Sequence, residues 1–194
     1  MLTKAKLQKL YTMDGLSMTQ IAKNQDCSPN QVAYWMDKYD IKRRSISDAV
    51  YSRKHPAGHP FRVVPIDTIE KAKLFGMGVG LYWGEGTKAN KHSVRLGNSD
   101  PELILTFREF LVELFEVDPT ELRYGLQIFT DIDEKDAVKF WINKLNIDKS
   151  QLYKVHKTIS GSLGTYRNKS MYGVVTIYFN NSRLRDIILG YLPR

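Results

Sequence analysis

Glu85 is the lone acid of LFGMGVGLYWGEGTK, Leu74–Lys88, a stretch that also holds five glycines. A carboxylate is a hard oxygen ligand, and two carboxylates brought a few ångströms apart repel one another unless cations bind between them. Divalent cations held in that way activate water and stabilise a leaving oxygen, which is the chemistry of phosphodiester hydrolysis. One chain brings one such acid, so the glycines decide whether a second chain can bring the other. Gly76, Gly80 and Gly84 recur every four residues and therefore line one face of a helix. Each glycine costs a soluble helix about 1 kcal/mol relative to alanine. That cost is offset where a second helix backbone approaches the bare face closely. Two such helices side by side set two Glu85 carboxylates at the end of the contact.

Two other readings of the stretch fail on context. A dinucleotide cradle follows a strand and opens a helix, whereas these glycines follow DTIEKAKLF, a helical pattern in which Asp67 and Glu70 are placed for a capping box. The Lys-Ser/Thr pair of a phosphate-binding loop is missing after the last glycine. The apolar part is also shorter than the roughly 18 residues that a membrane span requires.

The elements around this helix alternate. HSVRLGN reads as a strand, and SDPELILTFREFLVELF as an amphipathic helix capped by Asp100 with Pro101 first. ELRYGLQIF alternates with Leu122, Tyr124, Leu126 and Ile128 on one face and Arg123 and Gln127 on the other. DEKDAVKFWINKLNI is a helix, QLYKVHK and MYGVVTIYF are strands around the basic loop TISGSLGTYRNKS, and NSRLRDIILGYL closes with a helix. The expectation is an α+β domain over 67–194, its antiparallel or mixed sheet covered by helices on one face and open on the other.

The front of the chain differs in charge. Of a net charge of +8, residues 1–65 carry 11 Lys and Arg against five acids, and the rest of the chain is nearly neutral. A basic front on a neutral body points to a polyanion-binding module. Three short helices are expected in residues 1–44. Leu2, Leu7, Leu10 and Tyr11 mark the first, Ser17 caps the second, and Ser28 with Pro29 opens the third. In the third, Val32, Trp35, Met36 and Tyr39 form the buried stripe while Asn30, Gln31, Tyr34 and Lys38 face outward. Asn and Gln suit adenine edges in a major groove, and Lys and Tyr reach phosphates. This layout predicts a helix-turn-helix, and GLSMTQIAKNQDCSPNQVAYWMDKYDI resembles that of resolvase-like and homeodomain-like regulators. Residues 45–66 read as a basic linker with a short helix at Ser45–Arg53, and the basic run at Arg43 and Arg44 suits a DNA backbone or minor groove. His55 and His59 lie in a turn-rich stretch without further ligands, which argues against a metal there. The single cysteine, Cys27, excludes an internal disulfide. No secretory signal or membrane span is read, so an intracellular, cytoplasmic and nucleoid-associated protein is expected.

GVGLYWGEG, Gly78–Gly86, resembles the LAGLIDADG motif of homing endonucleases, in its single-motif, intein-type or free-standing form. Gly80 and Leu81 match the central Gly-Leu, Gly84 the small residue, and Glu85-Gly86 the terminal acid and glycine. VRLGNSDPELILTFREFL and YGVVTIYFNNSRLRDIILGYL share the likeness, which spans roughly residues 67–192. Trp83 departs from it, being bulky where the motif is often small or acidic, and so does a helix between the first two strands. The resemblance implies Glu85 as the catalytic acid and, with Gly84, the position that binds Mg²⁺ or Mn²⁺. It implies a saddle on double-stranded DNA contacted by Arg95, Arg123, Gln127, Lys154, His156 and Tyr178, with Arg167 and Lys169 of the basic loop beside them; the helix-turn-helix reading adds Ser28 to the contacts of the front module. Lys88 is a candidate to neutralise a phosphate. One motif per chain implies a homodimer joined through Gly76, Gly80, Trp83 and Gly84 on a roughly palindromic target. No small-molecule cofactor is implied. The alternatives within this reading are a transcription regulator that binds DNA without cleaving it and an RNA-binding splicing helper.

Overall fold

The computed structural model describes residues 2–160 and 170–193. The chain divides into two compact units, Met1–His59 and Pro60–Arg194.

The first unit is helical: α1 (Lys4–Gln8), a π-helical turn over Lys9–Met13, α2 (Met18–Asn24), α3 (Pro29–Lys38) and α4 (Ile46–Lys54). Its starts are set by side-chain caps. Thr3 accepts from the Lys6 amide at 3.4 Å, and Ser17 and Gln20 form a reciprocal capping box. Ser28 accepts from the Gln31 amide at 3.2 Å with Pro29 first in the helix, as expected. Asp26 turns the chain between α2 and α3 in the left-handed region, at φ +50°, which a short polar side chain tolerates better than most. Leu7, Tyr11, Ile21, Ala22, Val32 and Met36 close the core. Of the expected stripe on α3, Val32 and Met36 are buried, whereas Trp35 and Tyr39 lie half in, stacked at 5.3 Å between ring centres.

The second unit is an α+β layer pair. It runs α5 (Ile69–Glu85), β1 (Val94–Asn98), α6 (Pro101–Phe115), β2 (Arg123–Phe129), α7 (Glu134–Leu145), β3 (His156–Thr158), β4 (Val174–Phe179) and α8 (Ser182–Gly190). The sheet is open and mixed, in the order β1-β4-β2-β3, with β4 antiparallel to both neighbours and β3 parallel to β2. Strand period decides its two faces. Leu96, Tyr124, Leu126, Ile128, Val175 and Ile177 turn inward and share one core with Phe107, Phe110, Leu114, Trp141 and Leu184 of the helices. The expected alternation of β2 is therefore observed, as are the helix starts at Asp100-Pro101 and Asp133. Both α6 and α7 end on left-handed residues, Glu116 and Asn146, which close the last turn.

Three expectations need correction. The cap of α5 is Thr68, which accepts from the Lys71 amide at 3.1 Å; Asp67 instead accepts from Lys71 Nζ at 2.7 Å. The helix begins one residue later than Asp67 can cap. Of QLYKVHK only His156 onward forms a strand, in parallel register from Gln127, while Leu152 makes a single isolated bridge to Tyr124. The 45–66 linker is split: Ser45 caps α4 in the first unit, while Arg62 and Val64 donate their amides to the Phe115 and Leu114 carbonyls of the second, at 2.9 and 3.0 Å. Arg62 also forms a bidentate ion pair with Glu116, which holds that carboxyl below its ordinary range.

Candidate functional site: a bare helix face, its terminal acid and an open sheet

Helix α5 has one packed and one bare face. On the packed face Tyr82 is fully buried, its ring stacked on Phe107 at 5.8 Å between centres. Gly78 lies directly on the Phe110 ring, where a Cβ would overlap it. On the other face a Cβ added at Gly76, Gly80 or Gly84 would meet nothing within 4 Å. Ile69, Met77 and Trp83 are exposed on that side at 84%, 44% and 59%. The stripe expected to be bare is bare, and its exposed side chains are apolar apart from Lys73. The role of Gly78 was not read from the sequence, since its offset of two residues from Gly76 and Gly80 places it on the opposite face.

Glu85 is the last residue of α5 and is exposed. The chain after it is fixed tightly. The Gly86 amide donates to the Tyr82 carbonyl at 3.0 Å, and a Cβ at Gly86 would overlap Tyr82. The Thr87 amide donates to the Arg95 carbonyl at 2.9 Å, which ties this turn to β1. Lys88 Nζ donates to the Trp83 carbonyl at 2.5 Å, and Arg185 Nη2 donates to the Lys88 carbonyl at 2.7 Å. The ammonium of Lys88 therefore caps the negative end of the helix dipole beside Glu85, a task the sequence reading did not give it. Burial pushes the Tyr82 phenol up, against the nearby Arg185 guanidinium.

For a divalent cation, one chain supplies half a site. No group of three or more His, Cys, Asp or Glu gathers among the described residues. Gly84 can add only its backbone carbonyl to the Glu85 carboxylate. These oxygens suit a hard cation in kind but not in number, and a second copy of the same helix end would double them.

The open face of the sheet is ordered in rows by the strand register. Arg95, Tyr178 and Arg123 form one row, Gly97, Thr176 and Gly125 the next, and Gln127 lies beside Val174 and His156. The Arg95 guanidinium carbon is 5.1 Å from the Tyr178 ring centre, and its Nε donates to Ser93 Oγ at 2.7 Å. Arg123 donates to the Thr120 and Leu122 carbonyls at 2.6 and 2.9 Å. Gln127 Nε2 donates to Thr158 Oγ1 at 3.1 Å. Lys154 and His156 are exposed. The expected contacts Arg95, Arg123, Gln127, His156 and Tyr178 thus share one surface, whereas Arg167 and Lys169 lie outside the described residues. Two participants were missed. Tyr153 is 44% exposed and packs edge-on against Tyr178, and Asn180 Nδ2 donates to the Tyr153 hydroxyl at 3.2 Å. The glycine inside β2, Gly125, was the signal available, because strand glycines mark close approaches.

In the first unit Asn30, Gln31, Tyr34 and Lys38 are exposed along α3, as expected. Lys38 Nζ lies 4.8 Å from the Trp35 ring centre and 5.9 Å from that of Tyr34. Ser28 spends its hydroxyl on the cap, and Arg43 pairs with Asp37. Arg44 requires a correction. Its guanidinium lies over Tyr11 at 4.4 Å and donates to the carbonyls of Gly15 and Leu16, so it is turned into the unit and not toward a phosphate. The reason is physical: the break at Gly15 leaves carbonyls without partners, and a long forked donor satisfies two of them.

Neither family models, nor curated proteins, nor solved structures give a match to this chain. No helix among the described residues is long and apolar enough to cross a membrane.

Proposed function

We propose that this chain is a double-stranded DNA-binding protein in which α2 and α3 act as a helix-turn-helix and the second unit pairs with its copy as a LAGLIDADG-type endonuclease. The observation that carries the reading is α5: three glycines with open space where a Cβ would stand, exposed apolar neighbours, and an exposed acid as the terminal residue. A helix that accepts the propensity cost of three glycines on an unpacked face gains nothing within its own unit. In a two-fold pair those faces meet and two Glu85 carboxylates come together. Glu85 and the Gly84 carbonyl of each chain would hold Mg²⁺ or Mn²⁺, which when bound supplies Lewis acidity and a more acidic water for phosphodiester hydrolysis. The basic, polar sheet face then meets the phosphate backbone.

A second reading, DNA binding without cleavage, is favoured by one observation: the Lys88 ammonium already places a fixed cation at the helix end beside Glu85. One experiment separates the two. The purified protein with Mg²⁺ is incubated with a randomised duplex library. Discrete cuts that vanish in Glu85→Gln, with binding retained, support the endonuclease. Binding without any cut under Mg²⁺ or Mn²⁺ refutes it and leaves the regulator.

A further inference from the structure

We infer that the open sheet face holds an unpaired nucleobase, stacked in the cluster of Tyr153, Tyr178 and Arg95. This rests on the nucleic-acid reading of the same face and narrows what that face takes. Tyr153 leaves 44% of its surface in solvent beside a face of mostly polar groups and glycine, on which Val174 is also exposed. Its ring meets Tyr178 edge-on, at 5.5 Å between centres and 72° between planes. The Arg95 guanidinium adds a third planar group, 5.1 Å from the Tyr178 ring centre. Space for this arrangement comes from Gly125, where a Cβ would stand 3.0 Å from Tyr178 Cε2. Arg123, the register partner of Tyr178 on β2, supplies charge for the adjoining phosphate. The exposed amide of Asn180, 3.2 Å from the Tyr153 hydroxyl, offers a donor and an acceptor for a base edge.

Paired duplex presents phosphates and groove edges to a protein, and its base faces are hidden in the stack. Aromatic rings and guanidinium planes have stacking partners only where bases are unpaired, and charge beside them follows the backbone. The cluster combines both features, so its chemistry fits a single strand or a locally opened duplex better than continuous duplex.

The test uses the full chain and three fluorescein-labelled probes in an anisotropy titration: a short mixed-sequence single strand, the matching perfect duplex, and that duplex with a central unpaired bulge. The expected result is about tenfold tighter binding of the bulged and single-stranded probes than of the perfect duplex. Tyr153→Ala should remove that preference, weakening the bulged and single-stranded probes more than the perfect duplex, while Tyr153→Phe retains it. Tyr153 is on the surface, so neither variant endangers the core. Equal affinity for bulged and perfect duplex, or an equal loss on all three probes in Tyr153→Ala, overturns the stacking site and leaves nucleic-acid binding standing. No binding to any probe overturns the underlying reading, and the stacking site with it.

Discussion

Gly78 and Gly80 are two residues apart on the same helix, yet replacing each with alanine should change the protein in opposite directions. A Cβ at Gly78 would overlap the Phe110 ring, which is itself wedged against Phe107 and Phe115 at 5.6 and 5.2 Å between centres. That ring has no room to yield, so the substitution overpacks the core at a cost of about 1–3 kcal/mol. Against this stands a helix-propensity gain of about 1 kcal/mol. The net expectation for Gly78→Ala is a loss of up to about 2 kcal/mol, or several degrees in Tm for a unit of this size. At Gly80 nothing lies within 4 Å of the new methyl, so an isolated chain should gain the propensity of about 1 kcal/mol in full. Self-association should suffer, because the methyl pushes the facing backbone away. The assay is denaturant unfolding at dilute and at high protein concentration, with sedimentation on the same samples. Wild type should show a midpoint that rises with concentration, and Gly80→Ala a higher dilute midpoint that no longer does. A Gly78→Ala protein more stable than wild type refutes the packing account. A Gly80→Ala protein destabilised when dilute, or dimerising as well as wild type, refutes the bare-face account.

Three further outcomes concern single side chains. Burial pushes the Tyr124 phenol up to about 12 against the pull of Arg108, and its hydroxyl has no hydrogen-bond partner among the described residues. The folded state therefore holds this proton after the unfolded chain has released it. The associated stability is intact below about pH 10 and falls by about 2–3 kcal/mol as pH rises toward 12; Tyr124→Phe should flatten that alkaline decline and leave stability at neutral pH nearly unchanged, as followed by unfolding midpoints across pH. In the first unit, Lys38→Ala should lower the slope of log affinity for duplex against log salt by about 0.9, the release of one counterion. Arg44→Ala should leave that slope untouched and lower the melting temperature instead, because the Gly15 and Leu16 carbonyls lose their donors.

How much of this was legible depended on whether the relevant signal was local. Ser17, Ser28 and Asp100 cap their helices because a cap is decided within four residues, and the alternation of Arg123–Phe129 declares both faces of the sheet by itself. Asp67 misled by one position because its neighbour Thr68 takes the cap, on the Lys71 amide, and Asp67 pairs with the Lys71 ammonium instead. Long-range facts were not written locally. Nothing around Gly78 announces Phe110, thirty-two positions away, and nothing around Arg44 announces the carbonyls left open at Gly15 and Leu16. The surface cluster was half legible: Arg95, Arg123 and Tyr178 follow from strand period, but Tyr153 joins them from outside any strand. Its placement depends on the Tyr124 carbonyl, which accepts the Tyr153 amide at 2.7 Å.

The strand order has a consequence for how the chain is made. β4 follows β1, β2 and β3 in the chain, yet it lies between β1 and β2 and pairs with all of β1 and with Arg123–Gln127 of β2. During elongation β1 and β2 have no common partner until Val174–Phe179 leaves the ribosome, and the helices that cover them have only part of a sheet to cover. Contacts spanning so much chain close slowly, because the entropy of the intervening loop is lost before the pairing gain arrives. The helical front, a compact unit within Met1–His59, meets no such delay. Synthesis therefore yields a folded basic module trailing a sheet that is still missing its middle strand, and the interval between them is when the nascent protein is most exposed to aggregation.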